Sequence, residues 1–247
     1  MRENSRQDSL SAKAYTIIRN RILRGQLAMG EAISRRQIGA ELGMSLLPVM
    51  EALLRLEAEG LLESRPRAGT RIRIPTEEDV HGHFTVREAL ETQAAKMFAQ
   101  DATQRERSAM MKLAERVDES YSSDQVKFVG LHLKFHRRVV ECAHCPALLQ
   151  AVEATHALWS TWLCAMVPRL PVHSLRGRDH QELMKVLTHG TPEAAAEKME
   201  LHVRLGFRQI KDGLEPYFRM RKMVGENYFR PVNKHSEDLQ HLRAASE

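Results

Sequence analysis

GMSLLPVMEALLRLEAEGLLESRPRAGTRIRI, residues 43–74, decides the fold. Gly43 and Met44 read as a short turn, and Ser45 stands where a helix takes its N-cap. Pro48 follows in the first turn, where its missing N–H costs nothing. Val49, Ala52, Leu53 and Leu56 recur at helical spacing and mark one buried face. Gly60 ends that helix. From Leu61 to Ile74 two short β-like pieces flank a Pro66-Arg67-Ala68-Gly69 tip, the pattern of a hairpin. Arg71 and Arg73 alternate with Ile72 and Ile74, as on a half-buried strand. Pro75 closes the unit.

Working outward, Ser34 and Gln37 have the spacing of a capping box and open a helix that runs to Leu42. Gln26 to Ile33 reads as a turn with a short extended piece. An earlier helix, Ser11 to Arg24, places Ala14, Ile17, Ile18 and Ile22 at helical intervals and stops at Gly25. Residues 1–11 are polar and read as a disordered tail. A helix, a helix-turn-helix and a hairpin within residues 12–75 make a winged helix-turn-helix. From Thr76 onward no strand signal occurs. Helices are expected at about 77–99, 103–121, 124–143, 146–167, 173–189 and 192–212, with Pro146, Pro168, Pro171 and Pro192 near their boundaries. The expected fold is mainly α: the winged module, an all-helical bundle over 76–218, and a charged C-terminal tail over 219–247.

Composition narrows the function. The apolar fraction is 43%, ordinary for a globular protein. No apolar run reaches the roughly 18 residues that span a bilayer. The first residues are too polar for a secretory signal. Three cysteines do not make a disulfide framework. A cytoplasmic protein with no membrane partner is expected. Residues 1–75 hold 13 Arg and Lys against 8 Asp and Glu, which is the whole of the chain's net +5. A basic N-terminal module on a neutral body is the charge layout of a nucleic-acid reader.

Residues 43–74 also carry a resemblance. Ser45, Pro48, Val49, Glu51, Ala52, Leu53, Leu56, Glu59, Gly60, Leu61 and Gly69 match the helix-turn-helix of the GntR family of bacterial regulators. Downstream, Arg87-Glu88-Ala89-Leu90-Glu91, Phe135-His136, His180 and His202 resemble the FadR-type sensor called the FCD domain. The resemblance spans about residues 12–212. It implies a homodimer that binds a double-stranded DNA operator and answers to an effector.

On the DNA side, the resemblance places Ser45, Leu46 and Pro48 on the recognition helix, which reads base edges in the major groove. The family usually has two arginines on this helix, and the matching positions are Leu46 and Met50. Other donors are expected to take part: Arg35 and Arg36 at the start of the preceding helix, and Arg65, Arg67 and Arg71 on the wing. Gly69 would let the wing tip approach the DNA.

On the sensor side, His132 and His136 are four residues apart and share a helix face. The family's metal set is an aspartate and three histidines. His136, His180 and His202 match the histidines, and His132 occupies the aspartate position. An all-imidazole site favours Zn²⁺ or Ni²⁺ over Mn²⁺, unless His132 turns away and water takes its place. Arg87 matches a position that can face the pocket, so a small organic acid is the expected effector; the other reading of Arg87 is an ion pair with Glu91. Cys142-Ala-His-Cys145 lacks the second pair that a separate zinc site needs. The alternatives are a metal-dependent enzyme built on the histidines and a family member that has lost specific DNA binding. Against the enzyme, no His-Glu-x-x-His, nucleophile elbow or phosphate loop is present.

Overall fold

A computed structural model describes residues 2–23, 25–65, 69–123, 125–166 and 180–224. The first module is α1 (Arg2–Leu23), β1 (Ala32–Ile33), α2 (Arg35–Leu42), α3 (Leu46–Ala58), β2 (Leu62–Arg65) and β3 (Gly69–Ile72). Its three strands lie in the order β1-β3-β2, all antiparallel, with Leu62 opposite Ile72 and Ala32 opposite Arg71. This is a winged helix-turn-helix. Ser34 caps α2 by accepting from the Gln37 backbone N–H. Gln37 does not complete the box, because its side chain bonds to Glu41 instead. Ser45 holds the N-cap position of α3 without making a side-chain cap bond.

The turn between α2 and α3 rests on two glycines. Gly43 has φ +62°, the left-handed conformation that ends α2. Gly39 faces that turn, and a Cβ there would meet the Met44 carbonyl oxygen at 3.1 Å. The chain can therefore fold back tightly and set α3 across α2. Val49, Ala52, Leu53 and Leu56 are buried, with Ala14, Ile18 and Ile22 of α1 in the same core.

Two expectations for this module change. Residues 2–11, expected as part of a tail, are helical, because α1 begins at Arg2. Polar residues read alike in a tail and in a solvated helix; once Ala14, Ile18 and Ile22 are packed, extending the helix avoids the cost of a new nucleus. The second concerns β3. Thr70, Arg71 and Ile72 are all buried, so the alternation expected of a half-exposed strand fails. The cause is β1, a third strand laid against β3, whose two residues are too few to show a period.

The second module is α4 (Glu77–Asp101), α5 (Gln104–Ser123), α6 (Gln125–Glu141), α7 (Pro146–Met166), α8 (His180–His189) and α9 (Pro192–Val224). A full capping box starts α4: Thr76 Oγ1 accepts from Asp79 N–H at 3.0 Å, and Asp79 accepts from Thr76 N–H at 2.9 Å. Arg73, at the end of the wing, bonds to the same Asp79 at 2.8 Å, which ties the two modules together. Of the expected helix at 173–189, the part before His180 lies outside the described residues, as does the Trp159 side chain.

The last helix differs most from expectation. It runs twelve residues past 212, through Pro216. Leu214 and Phe218 are buried, and Tyr217 and Met220 pack against the core. That burial outweighs the hydrogen bond lost at proline, which costs about 3 kcal/mol. The far end of α9 reaches the wing, where Arg221 donates to the Ile74 carbonyl oxygen and pairs with Glu63. The expected tail over 219–247 is thus helical to Val224, and the rest of it lies outside the described residues. None of the described helices is long and apolar enough to cross a membrane.

Candidate metal centre and DNA-facing surface

Four histidines from three helices meet inside the second module. His132 and His136 sit one turn apart on α6, His180 opens α8, and His202 lies on α9. One nitrogen of each falls within 4.8 Å of the other three. His136 Nε2 lies 3.0 Å from His132 Nε2 and 3.4 Å from His202 Nε2. His132, His136 and His180 are at most 2% exposed, and His202 is 9% exposed.

Carboxylates orient two of the rings from behind. Glu91 on α4 approaches His136 Nδ1 at 2.6 Å, and Asp118 on α5 approaches His180 Nδ1 at 2.7 Å. Asp118 also accepts the backbone N–H groups of His180 and Gln181, so it caps α8 while aiming its first side chain. A carboxylate on one ring nitrogen fixes the tautomer and turns the other nitrogen inward as a lone-pair donor. Aromatic rings hold the imidazoles: Phe128 stacks on His132, and Phe135 meets His180 edge-on at 5.0 Å. Burial pushes the His136 pKa down to about 4, against the opposing pull of Glu91. The ring is neutral at pH 7, as a metal ligand must be.

The donor set fits a divalent ion. Zn–N bonds are about 2.0–2.1 Å, which puts neighbouring nitrogens of a tetrahedral site roughly 3.3 Å apart. The 3.0 and 3.4 Å separations around His136 bracket that value. His132, at the position where an aspartate was the family expectation, points into the cluster with the others.

Arg87 takes the second of its two readings. It is 2% exposed, and its guanidinium pairs with Glu91 Oε1 at 2.7 Å, while the other Glu91 oxygen meets His136. Arg87 therefore acts on the cluster through Glu91, and its guanidinium is already engaged by a carboxylate of the chain itself. Sequence reasoning missed the orienting role of Glu91 and missed Asp118 entirely. The one local signal for Asp118 is an acidic residue at the edge of a helix face that buries Leu113, Ala114 and Val117. Cys142 is buried, and burial raises its thiol to about 11, which suits an inert core cysteine.

On the first module, Arg35 and Arg36 are exposed in the opening turn of α2, which holds no acidic residue. Ser45, Leu46 and Met50 are exposed on α3. Arg65 is exposed at the end of β2, and Gly69 is exposed with φ +89°. Arg67 lies outside the described residues. Two expected contacts do not reach this surface. Pro48 is buried, where it packs the base of the helix. Arg71 is 9% exposed and donates to the Gly30 carbonyl oxygen at 3.0 Å, because the added strand β1 draws it inward.

A winged helix-turn-helix with a basic exposed face, followed by a helical bundle around a histidine cluster, defines a class: DNA-binding regulators that carry a second, helical domain on the same chain. The comparisons give the family. The description "Bacterial regulatory proteins, gntR family" matches residues 10–72 and the FCD domain matches residues 83–205, so the chain belongs to the GntR family, with an FCD domain, and is a DNA-binding transcription regulator. It is 31% identical over 182 residues to a probable D-xylose utilization operon transcriptional repressor of Paenarthrobacter nicotinovorans, covering 74% of this chain and 80% of the relative. In fold it resembles McbR/YncC of E. coli (TM-score 0.69, 17% identity, 82% of this chain and 97% of the other). A putative GntR regulator from Rhodococcus sp. RHA1 resembles it equally (TM-score 0.69, 22% identity, 82% and 97%). The Paenarthrobacter relative is named a transcriptional repressor and the Rhodococcus protein a transcriptional regulator.

Proposed function

We propose that this regulator is a homodimeric repressor that holds one divalent ion with His132, His136, His180 and His202, and that a small organic acid bound at the ion sets its affinity for operator DNA. The observation that carries this is the convergence of four imidazoles within 4.8 Å, two of them turned inward by Glu91 and Asp118. Neutral imidazoles suit Zn²⁺ or Ni²⁺ better than Mn²⁺. With four imidazoles on the ion, a carboxylate oxygen would enter as a fifth ligand, an expansion that zinc sites can make. Arg87 holds Glu91, and Glu91 holds His136. The repressor sign follows the name of the Paenarthrobacter relative.

The module limits proposed are 12–75 for DNA and 76–218 for sensing. On the DNA side, Arg35, Arg36, Arg65 and Arg67 contact the phosphates around the recognition helix, with Ser45, Leu46 and Gly69 at the surface. Two copies are proposed because one small module lacks the affinity that paired half-sites supply.

Helix α9 provides a physical route between the ends. It carries His202 at the cluster and Arg221 at the wing, on one continuous helix. Nineteen residues of helix span about 28 Å. An effector that favours one placement of α9 would bias the wing by its differential affinity for the two states. The test is fluorescence anisotropy of the full chain on its own upstream intergenic duplex and on a scrambled duplex, at two salt concentrations, with Zn²⁺ and a panel of acetate, lactate, malate and citrate. The expected result is preference for the native duplex at the higher salt and a carboxylate-dependent shift in affinity that EDTA abolishes. A response that survives EDTA would overturn the metal reading.

A further inference from the structure

The recognition helix presents an apolar face to solvent. Leu46, Met50 and Leu54 recur every four residues and form one stripe along α3, with Leu47 beside it. They are 53%, 36%, 56% and 45% exposed, respectively. The polar groups of α3 do not interrupt this stripe. Glu51 is half-buried. Glu57 accepts from the Ser64 backbone N–H and hydroxyl. The Arg55 guanidinium lies 3.9 Å from the centre of the Tyr15 ring and bonds to Glu59.

A contiguous exposed patch of large apolar side chains marks a contact surface, and the charge around this one selects its occupant. Arg35, Arg36 and Arg65 are exposed on the same module, and residues 1–75 hold the chain's entire positive excess. A polyanion with an apolar recess satisfies both features. Duplex DNA is such a polyanion, and the apolar contact inside the recess of its major groove is the thymine 5-methyl group.

We propose that Leu46, Met50 and Leu54 read DNA through thymine methyl groups, so that the operator is specified by methyl positions in the major groove and not by hydrogen bonds to guanine. The inference rests on the DNA-binding function of the family and adds what is read. Each methyl buried contributes about 0.8 kcal/mol, or roughly fourfold in affinity. Two such contacts in each of two half-sites are enough for useful selectivity, while the arginines supply most of the affinity and its salt dependence.

The experiment starts with selection by the full chain from a random 25-base-pair duplex pool. The enriched duplex is then made with thymine, and again with uracil at every thymine of the protected region. The expected result is a core with recurring thymines and at least about a tenfold loss of affinity on uracil replacement. The double variant Leu46→Ala, Met50→Ala, at exposed positions that leave the fold intact, should lose most of the preference for the thymine duplex, with Leu54 as the one reader left. Placing 5-methylcytosine at a contacted position should retain affinity that unmethylated cytosine loses. Salt-sensitive binding that is equal for thymine and uracil overturns the inference and leaves the DNA-binding function standing. Failure to bind any duplex overturns both. A change of the double variant from dimer to monomer in light scattering assigns the stripe to a second copy and also overturns it.

Discussion

The histidine cluster and the recognition helix are built on opposite terms. Every ring in the cluster is buried, and the two rings that open the network are fixed by carboxylates that are themselves held: Glu91 by Arg87, and Asp118 by the N-terminus of α8. The geometry is set before any ligand arrives. On α3 the buried face fixes only where the helix lies, and the side chains proposed to meet DNA are exposed. A site enclosed by its own chain states its chemistry in its packing. A surface that is finished by another molecule states only what it lacks, here the hydrogen-bond donors expected at Leu46 and Met50.

That contrast can be broken where the cluster's support is charged. Glu91→Gln removes the carboxylate that pairs with the buried Arg87, and loss of one partner of a buried pair costs about 3–5 kcal/mol. Denaturant unfolding of the metal-free protein should show a loss of that size. A loss below about 1 kcal/mol would mean that Arg87 is solvated and the network is not closed.

The two faces of α3 give the next contrast. Leu53 is 4% exposed and its neighbour Leu54 is 56% exposed. Leu53→Ala should destabilise by about 2–5 kcal/mol, and Leu54→Ala should stay within about 0.5 kcal/mol. Equal losses in thermal unfolding would show that the apolar stripe is packed in the free protein.

A smaller effect separates orientation from ligation. Asp118→Ala keeps all four imidazoles but removes the group that aims His180. Metal affinity, measured by competition with a chelator, should fall about 10–100-fold. An unchanged affinity would show that His180 is placed by backbone packing alone. The smallest effect belongs to the DNA surface: Arg36→Ala should weaken binding by a similar factor on every sequence and lower the slope of log affinity against log salt by about 1.

Much of the fold was legible because local chemistry marks its boundaries. Gly43, Ser34, Gly60 and Gly69 each require a turn or cap, and the spacing of Val49, Ala52, Leu53 and Leu56 fixes the buried face of α3. What escaped depends on contacts made at a distance. The two residues of β1 carry no period, yet they bury Arg71. The helix expected to end at 212 runs on through Pro216, because Phe218 and Met220 find the core. The histidines were visible as candidates from the resemblance and from the four-residue spacing of His132 and His136. Their convergence followed from the resemblance alone, because His180 and His202 come from other helices and no local spacing joins them to His132 and His136. Asp118 was missed for the same reason: its partner lies 62 residues away, and its place beside the buried Leu113, Ala114 and Val117 does not say what it holds.

The most direct test of the central claim is calorimetric titration of Zn²⁺ into full-length protein stripped with EDTA, beside the double variant His136→Ala, His180→Ala. One saturable site per chain, lost in the variant, is the predicted result. Absence of saturable binding, or binding that the variant retains in full, would contradict the assignment of the four histidines as a metal centre.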